Sequence, residues 1–501
     1  MPVAPLRALA SRRAAAALGF LIAAVAPWAQ AVLPREVAAS LAAANIPASQ
    51  VSVWVQDLGL PQPELRHNAE EPRNPASTIK LVTTYAALEM LGPTFTWKTE
   101  AWTSAPLVGD VLQGDLVLRG GGDPKLTFEQ FWLLLRGLRA RGVREIRGDL
   151  VLDRSWLDGS QHDPGRFDGQ PTQPYNVGPD ALLLNFKAFR FAFVPDPSRK
   201  TIAVFGEPPS SSLELASNVR YGEGPCGDWR AGIKADFQPV APGTRVTFSG
   251  TYPASCGEQM WNVALLPHPE YVHGVFRKLW EELGGTLAGR WRDGTVPPGA
   301  RLLHRHESPP LTEAVRDINK FSNNVMARQL FLDLSADGGA QPGRPARSAE
   351  NVRGWAAAKG LRMPELVLEN GSGLSREERI SADSMGQMLA AAYRSAVMPE
   401  FISSLPLVAY DGTMRRRLRF ESVAGQAHIK TGSLTGVRAI AGYLLDRQGR
   451  RHALVFFINH PNAAAGQPAM DALLRWVYEG GCEARQEKAT GTARGPRACR
   501  D

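Results

Sequence analysis

Apolar residues recur along this chain with two periods, and the changes of period mark where its pieces meet. Over 33–45, Val37, Leu41 and Ala44 keep helical spacing, while Val-Ser-Val-Trp-Val at 51–55 alternates as a strand does. The stretch 74–93 is a punctuated helix. Asn74 can cap it, Pro75 suits a first turn where its missing N–H costs nothing, and Gly92-Pro93 stops it. Ile79, Val82, Ala86 and Met90 share one face, which predicts burial against a core. From about residue 97 short alternating runs take over, predicting strands over 112–118 and 145–152 with an amphipathic helix over 128–141 between them. Residues 186–256 hold strand patterns such as 188–194 and 244–249, separated by Pro, Gly and Ser turns without a helical run, which predicts a small all-β module. A helix over 271–283 returns the chain to a mixed pattern. Long helices resume after about residue 303, predicted over 311–320, 324–334, 349–359 and 384–396. After 424–431 come neighbouring antiparallel strands at 437–445 and 452–459, joined by turn chemistry at 446–449, and a closing helix at 468–478.

Composition narrows the class. The chain has 501 residues, 44% hydrophobic and 21% charged, which excludes a disordered or fibrous protein and leaves room for several domains. Its 48 Gly and 38 Pro show no fixed period, so collagen and solenoid arrays are excluded. Arg7, Arg12 and Arg13 precede an apolar run at 14–26 and the small-x-small pattern Ala29-Gln30-Ala31, which reads as a cleaved export signal over 1–31 and points to the periplasm. That run is shorter than the roughly 18 to 20 residues a membrane span needs. Without the three arginines the formal charge of +8 falls to about +5. Such a surface would be drawn to anionic partners such as phospholipid head groups, a peripheral membrane association that a few charges alone do not decide. No basic-aromatic motif supports nucleic-acid binding. Export also permits disulfides. Cys226 and Cys256, about 30 residues apart, are expected to close a loop worth roughly 3 kcal/mol. Cys482 precedes and Cys499 lies within a polar tail (483–501), and the two are either a second pair or free thiols. None has His or Cys company at ligand spacing, so no metal is expected.

Three short motifs carry chemistry: Ser77-Thr78-Ile79-Lys80, Ser322-Asn323-Asn324 and Lys430-Thr431-Gly432. A serine hydroxyl is a poor nucleophile until a base takes its proton, and Lys80 lies one helical turn from Ser77 on the same face. The first turn of a helix favours negative charge on the attacking oxygen. Lysine serves as a base only if its pKa is lowered, which burial and a second cation such as Lys430 can supply. Ser322 and Asn324 fall between two helical patterns, where a hydroxyl can relay a proton and an amide can hold both Lys80 and a substrate carbonyl; simple capping of the second helix is the alternative. At 430–433, Lys430 can balance a substrate carboxylate, Thr431 can hydrogen-bond it, and Gly432 leaves room for a peptide laid along a strand edge beside Ser433.

With these motifs in this order, the chain resembles the low-molecular-mass class C penicillin-binding proteins, the D-alanyl-D-alanine carboxypeptidase/endopeptidase family of the penicillin-binding protein 4 type (peptidase family S13). Gly122-Asp123-Pro124, Tyr175-Asn176, Asp411-Gly412-Thr413 and Gly371-Ser-Gly-Leu-Ser-Arg376 extend the resemblance over nearly the whole chain. The long separation of Lys80 from Ser322 distinguishes this family from β-lactamases and simpler carboxypeptidases. One departure is Glu369-Asn370 before Gly371, where the family often has an aspartate.

The resemblance implies an α+β fold: a serine β-lactamase/transpeptidase-like domain, an antiparallel sheet flanked by helices, with large inserted mixed and all-β modules. It places the catalytic domain at 32–96 and 300–482, an inserted domain at 97–185 and 260–299, and a nested β-rich domain at 186–259. It implies a serine-type carboxypeptidase and peptidoglycan DD-endopeptidase that acts on muropeptides, is acylated by β-lactam antibiotics and needs no cofactor. Ser77 is then the nucleophile, Lys80 its base, Ser322 and Asn324 the relay and positioning pair, Lys430 to Ser433 the substrate strand, and the N–H groups of Ser77 and Ser433 the oxyanion hole. The alternatives are a serine β-lactamase or esterase on the same fold and a non-catalytic wall-binding protein.

Overall fold

A computed structural model describes residues 32–158, 162–337 and 341–481. The predicted export signal, the tail after 482 and the cysteines Cys482 and Cys499 lie outside the described residues.

The two ends of the described chain build one antiparallel sheet, ordered Ala427–Leu434, Val437–Leu445, Arg451–Asn459, Val51–Asp57, Leu65–His67. Its inner strands are buried on both faces, which is why 451–459 reads as a nearly continuous apolar run. Alternation still sorts the side chains. Val53, Ile440 and Phe456 join a core with Leu41 and Leu473 from the helices Arg35–Ala43 and Gln467–Tyr478. Trp54, Ala441 and Phe457 face a second core built by the helices Lys80–Met90, Leu311–Phe321, Asn324–Asp333, Pro345–Ala358 and Ala382–Tyr393. The helix Lys80–Met90 runs through the middle of that layer with every residue from Lys80 to Leu88 buried, and its buried threonines are satisfied inside, Thr83 Oγ1 donating to Gly371 O and Thr84 Oγ1 to Lys80 O, each at 2.7 Å.

Between these parts the chain makes three further sheets. Residues 189–263 form a six-stranded sheet without any α-helix, as its strand and turn pattern predicts. The Cys226–Cys256 disulfide is present there, beside a packed aromatic cluster of Phe193, Trp229, Tyr252 and Trp261. The predicted strands 112–118 and 145–152 are each two strands in two different sheets. Val111–Leu112 and Glu145–Ile146 pair in a four-stranded sheet, whereas Leu116–Arg119 and Leu150–Asp153 pair in a five-stranded one. The chain turns the corner at Gly114-Asp115 and Gly148-Asp149, where Asp115 Oδ1 accepts the Asp149 N–H at 2.7 Å. A Cβ on Gly148 would sit 2.4 Å from the Gly114 carbonyl carbon, so the two corners stack only because a side chain is missing.

The excursion leaves and re-enters through one seam, the antiparallel pairing of Lys98–Thr103 with Arg301–Glu307. The predicted helices are observed within a few residues of their expected bounds, at Phe128–Ala140, His268–Glu282, Leu311–Phe321, Asn324–Asp333, Pro345–Ala358, Ala382–Tyr393 and Gln467–Tyr478.

Candidate active site

The three motifs meet. Ser77 does not begin the α-helix proper. It sits in a 3-10 turn, Ala76–Ile79, which feeds the helix Lys80–Met90. Asn74 still ties the entry, its Oδ1 accepting the Ala76 N–H at 2.9 Å. Ala76 has φ 45°, a left-handed conformation that alanine seldom adopts, and it turns the chain immediately before the serine. The Lys80 Nζ is 3.0 Å from Ser77 Oγ, 2.7 Å from Asn324 Oδ1, and also donates to the Ser372 carbonyl.

Lys80 is fully buried. Burial, with Lys430 and Arg328 nearby, holds its pKa well below the usual lysine value, against the opposing pull of Glu378. Lys430 is equally buried, and burial pushes it down to about 7. Its Nζ donates to Ser322 Oγ at 2.8 Å and to the Thr431 carbonyl at 2.8 Å. Two amines are thus held in low-dielectric surroundings that favour their neutral forms.

Ser322 has φ 57° and ends the helix Leu311–Phe321 in the left-handed region, a conformation that turns its hydroxyl toward Lys430. The capping of the next helix is done by Asn323, whose side chain accepts the Met326 N–H at 3.1 Å. Ser322 is thereby left to line the cavity beside Ser77, and Asn324 to hold Lys80.

The strand Ala427–Leu434 is the sheet's edge. Its first half is covered, since the Val408 and Ile429 N–H groups bond Ala427 O and Pro406 O. Its second half runs beside the turn that carries Ser77. A Cβ on Gly432 would lie 2.7 Å from Pro75 O and 3.0 Å from Ser77 N, so the glycine lets the strand approach the nucleophile's own backbone. This differs from the expectation that the space at Gly432 is kept for a peptide. Thr431 Oγ1 donates to Thr413 Oγ1 at 2.8 Å, which brings the Asp411-Gly412-Thr413 turn to the rim.

Three contributors are not among the expected site residues. The Ser372 carbonyl is a main-chain acceptor, invisible in side-chain patterns. Glu378 is buried and accepts the N–H groups of Glu369, Asn370 and Gly371 at 3.3, 3.0 and 2.8 Å, fixing the loop that delivers that carbonyl; burial raises its pKa. Arg328, also buried and pushed down to about 10 by burial, donates to Tyr175 O and Val177 O. Asn370 belongs to the Glu369-Asn370 pair that precedes Gly371. Its Oδ1 accepts the Ser372 N–H and hydroxyl at 2.9 and 2.6 Å, as a carboxylate would, without adding a negative charge that would raise Lys80.

Two cavities adjoin this arrangement. One of about 330 Å³ is lined by Ser77, Ser322, Thr431, Gly432 and Ser433. The other, about 740 Å³, is lined by Phe167, Arg328, Asn370, Leu374 and Arg376. Among the described residues no cluster of His, Cys, Asp and Glu is suited to a metal ion.

The model of the D-Ala-D-Ala carboxypeptidase 3 (S13) family matches residues 33–479. A D-alanyl-D-alanine carboxypeptidase of Actinomadura sp. is 30% identical over 392 residues, covering 75% of this chain and 71% of the relative. The crystal structure of penicillin binding protein 4 (dacB) from Haemophilus influenzae superposes with a TM-score of 0.73 at 23% identity, over 88% of this chain and 99% of that one. The same protein complexed with a β-lactam gives a TM-score of 0.69 at 22% identity, again over 88% and 99%. The fold is therefore the expected α+β fold with an antiparallel sheet flanked by helices.

Proposed function

Because the chain belongs to the D-Ala-D-Ala carboxypeptidase 3 (S13) family, a family of serine peptidases, we propose that it cleaves D-alanyl peptide bonds of peptidoglycan stem peptides through an acyl-enzyme on Ser77. Terminal D-Ala-D-Ala and the D-alanyl cross-link present the same bond, so one site serves carboxypeptidase and endopeptidase action.

One observation carries the proposal: a buried amine with two carbonyl acceptors and one hydroxyl around it. A neutral Lys80 spends its two N–H bonds on Asn324 Oδ1 and Ser372 O, and its lone pair is left for the Ser77 proton. As Ser77 Oγ bonds to the substrate carbonyl carbon, the proton passes to Lys80 and the carbonyl oxygen becomes an oxyanion. The N–H groups of Ser77 and Ser433 are assigned to receive it. The C–N bond then breaks as the proton taken up by Lys80 is passed by way of the Ser322 hydroxyl, which Lys430 holds at 2.8 Å, to the leaving nitrogen, and Lys80 is neutral again. Water then gives a proton to neutral Lys80 as its oxygen bonds to the ester carbonyl carbon, and the C–O bond to Ser77 breaks with that proton returned from Lys80 to Oγ, 3.0 Å away. No step calls on a metal or an organic cofactor. β-Lactams acylate the same oxygen.

The edge strand Lys430 to Ser433 takes the substrate backbone by strand addition, and the 740 Å³ cavity beside Asn370 and Leu374 takes the stem-peptide side chain. Residues 32–96 and 300–482 are the catalytic part in this reading, and 97–299 the inserted modules. A periplasmic location follows from the substrate and from the export signal read at 1–31.

The test is twofold. Protein with Ser77 intact is expected to release D-alanine from a pentapeptide muropeptide and to bind fluorescent penicillin one to one, and Ser77→Ala to lose both. Absence of both activities with Ser77 intact refutes the proposal. Fast, repeated turnover of nitrocefin refutes it in favour of a β-lactamase.

A further inference from the structure

The smaller cavity holds two arginines as well as the nucleophile, Arg417 and Arg438. Arg417 is neutralised. Its Nε donates to Asp471 Oδ1 at 3.1 Å, its Nη2 bonds the same oxygen, and its Nη1 lies 3.6 Å from the Met414 sulfur. Arg438 has no such counter-ion. Strand register sets it directly across from Ser433, so its side chain stands on the same sheet face as those of Ser433 and Thr431. Its Nη1 donates to Leu434 O at 3.1 Å and to Val437 O at 2.9 Å. Those bonds pin the guanidinium over the hairpin, and among the described residues its other nitrogens have no acceptor and no carboxylate pairs with it. A half-buried cation that is positioned, unpaired and beside the nucleophile is a vacant place for an anion.

We infer that Arg438 is the counter-ion of the substrate carboxylate on the leaving-group side, with the hydroxyl of Ser433, and that of Thr431 once it turns its proton away from Thr413, donating to the same group. This rests on the acyl-transfer reading above and names what recognises the residue that departs. In an acyl-D-Ala-D-Ala substrate that carboxylate is one carbon beyond the scissile nitrogen, and one cavity is lined by Ser77, by Ser322, the residue assigned to that nitrogen, and by Arg438. The sequence pattern pointed to Lys430 for this charge. Lys430, however, is fully buried behind the strand, spends donors on Ser322 and on its neighbour's carbonyl, and is pushed down to about 7 by burial, so at neutral pH it is no constant positive charge. Guanidinium groups do not deprotonate in proteins.

The experiment compares kcat/KM for an acylated L-Lys-D-Ala-D-Ala and for its C-terminal carboxamide, in the wild-type protein, Arg438→Gln and Arg438→Lys. A charge-assisted bond of this kind is worth about 10- to 100-fold. The wild type is expected to favour the free acid, Arg438→Gln to lose at least 10-fold of that acid-to-amide ratio, and Arg438→Lys to recover part of it. Loss of the hairpin anchor alone lowers both substrates together, so an unchanged ratio overturns the inference while the acyl-enzyme reading stands. Failure of the wild type to cleave either substrate overturns that reading and the inference with it.

Discussion

The contact between Asn324 and Lys80 offers the sharpest test of the proposed base. Replacing Asn324 by aspartate keeps the shape and puts a carboxylate where Oδ1 now lies, 2.7 Å from Nζ. At an effective dielectric of about 20, opposite unit charges at that distance attract by roughly 6 kcal/mol. Part of this is offset by desolvating the new carboxylate, which costs several kcal/mol, and the net rise in the lysine pKa is about 1 to 3 units. Lys80 works as a base only when neutral, and activity is lost as pH falls through its pKa. A higher pKa therefore moves the acid limb of the profile to higher pH. Acylation by fluorescent penicillin, followed as kcat/KM between pH 5 and 10, is expected to show its acid limb moved to higher pH, with a loss of up to about 1000-fold on the acid side and recovery toward the alkaline end. A profile with an unmoved acid limb and a uniformly lower amplitude refutes the role given to Lys80.

Two further outcomes are expected. Gly432→Ala forces a methyl against Pro75 O and Ser77 N, and it should lower the acylation rate by about 100-fold with the overall fold, checked by circular dichroism, retained. His452 is buried between Glu64 and Asp446, at 3.0 Å from each; burial opposes its charge, but the two carboxylates prevail and raise its pKa. Its stabilising effect is then complete below the unfolded histidine value of about 6.5 and is lost as pH rises through the higher folded value. The melting temperature should decline from pH 6 to 8.5, and His452→Gln should flatten that decline; equal slopes in both proteins would contradict it.

The elements that were legible in the sequence are those whose pattern is long enough to carry its own period. The helix after Ser77 and the hairpin 437–459 are of this kind, because their apolar positions match the layers they face. The strands at 112–118 and 145–152 misled because alternation continues straight through Gly114 and Gly148, while the change of sheet is decided by distant partners. In the site, Ser77, Lys80, Ser322, Asn324 and Lys430 announce themselves by side-chain chemistry. Ser372 does not, since it acts through a carbonyl, nor does Glu378, whose carboxylate serves main-chain N–H groups seven to nine residues upstream. The run Gly371 to Arg376 was visible as a motif, but only the folded chain shows that it wraps Lys80.

The paired strands Lys98–Thr103 and Arg301–Glu307 have a further consequence. At its entry and exit, an excursion of some two hundred residues spans only the width of two neighbouring strands, about 5 Å. Closing so long a tether costs roughly 2.5 kcal/mol more than closing one of about ten residues, and the zipped gateway absorbs that difference locally. Strands of the excursion that touch nothing near Ser77 can lengthen or shorten beyond it, whereas residues 175–180, whose main chain is bonded by Arg328 and Gln329, are tied to the site and cannot.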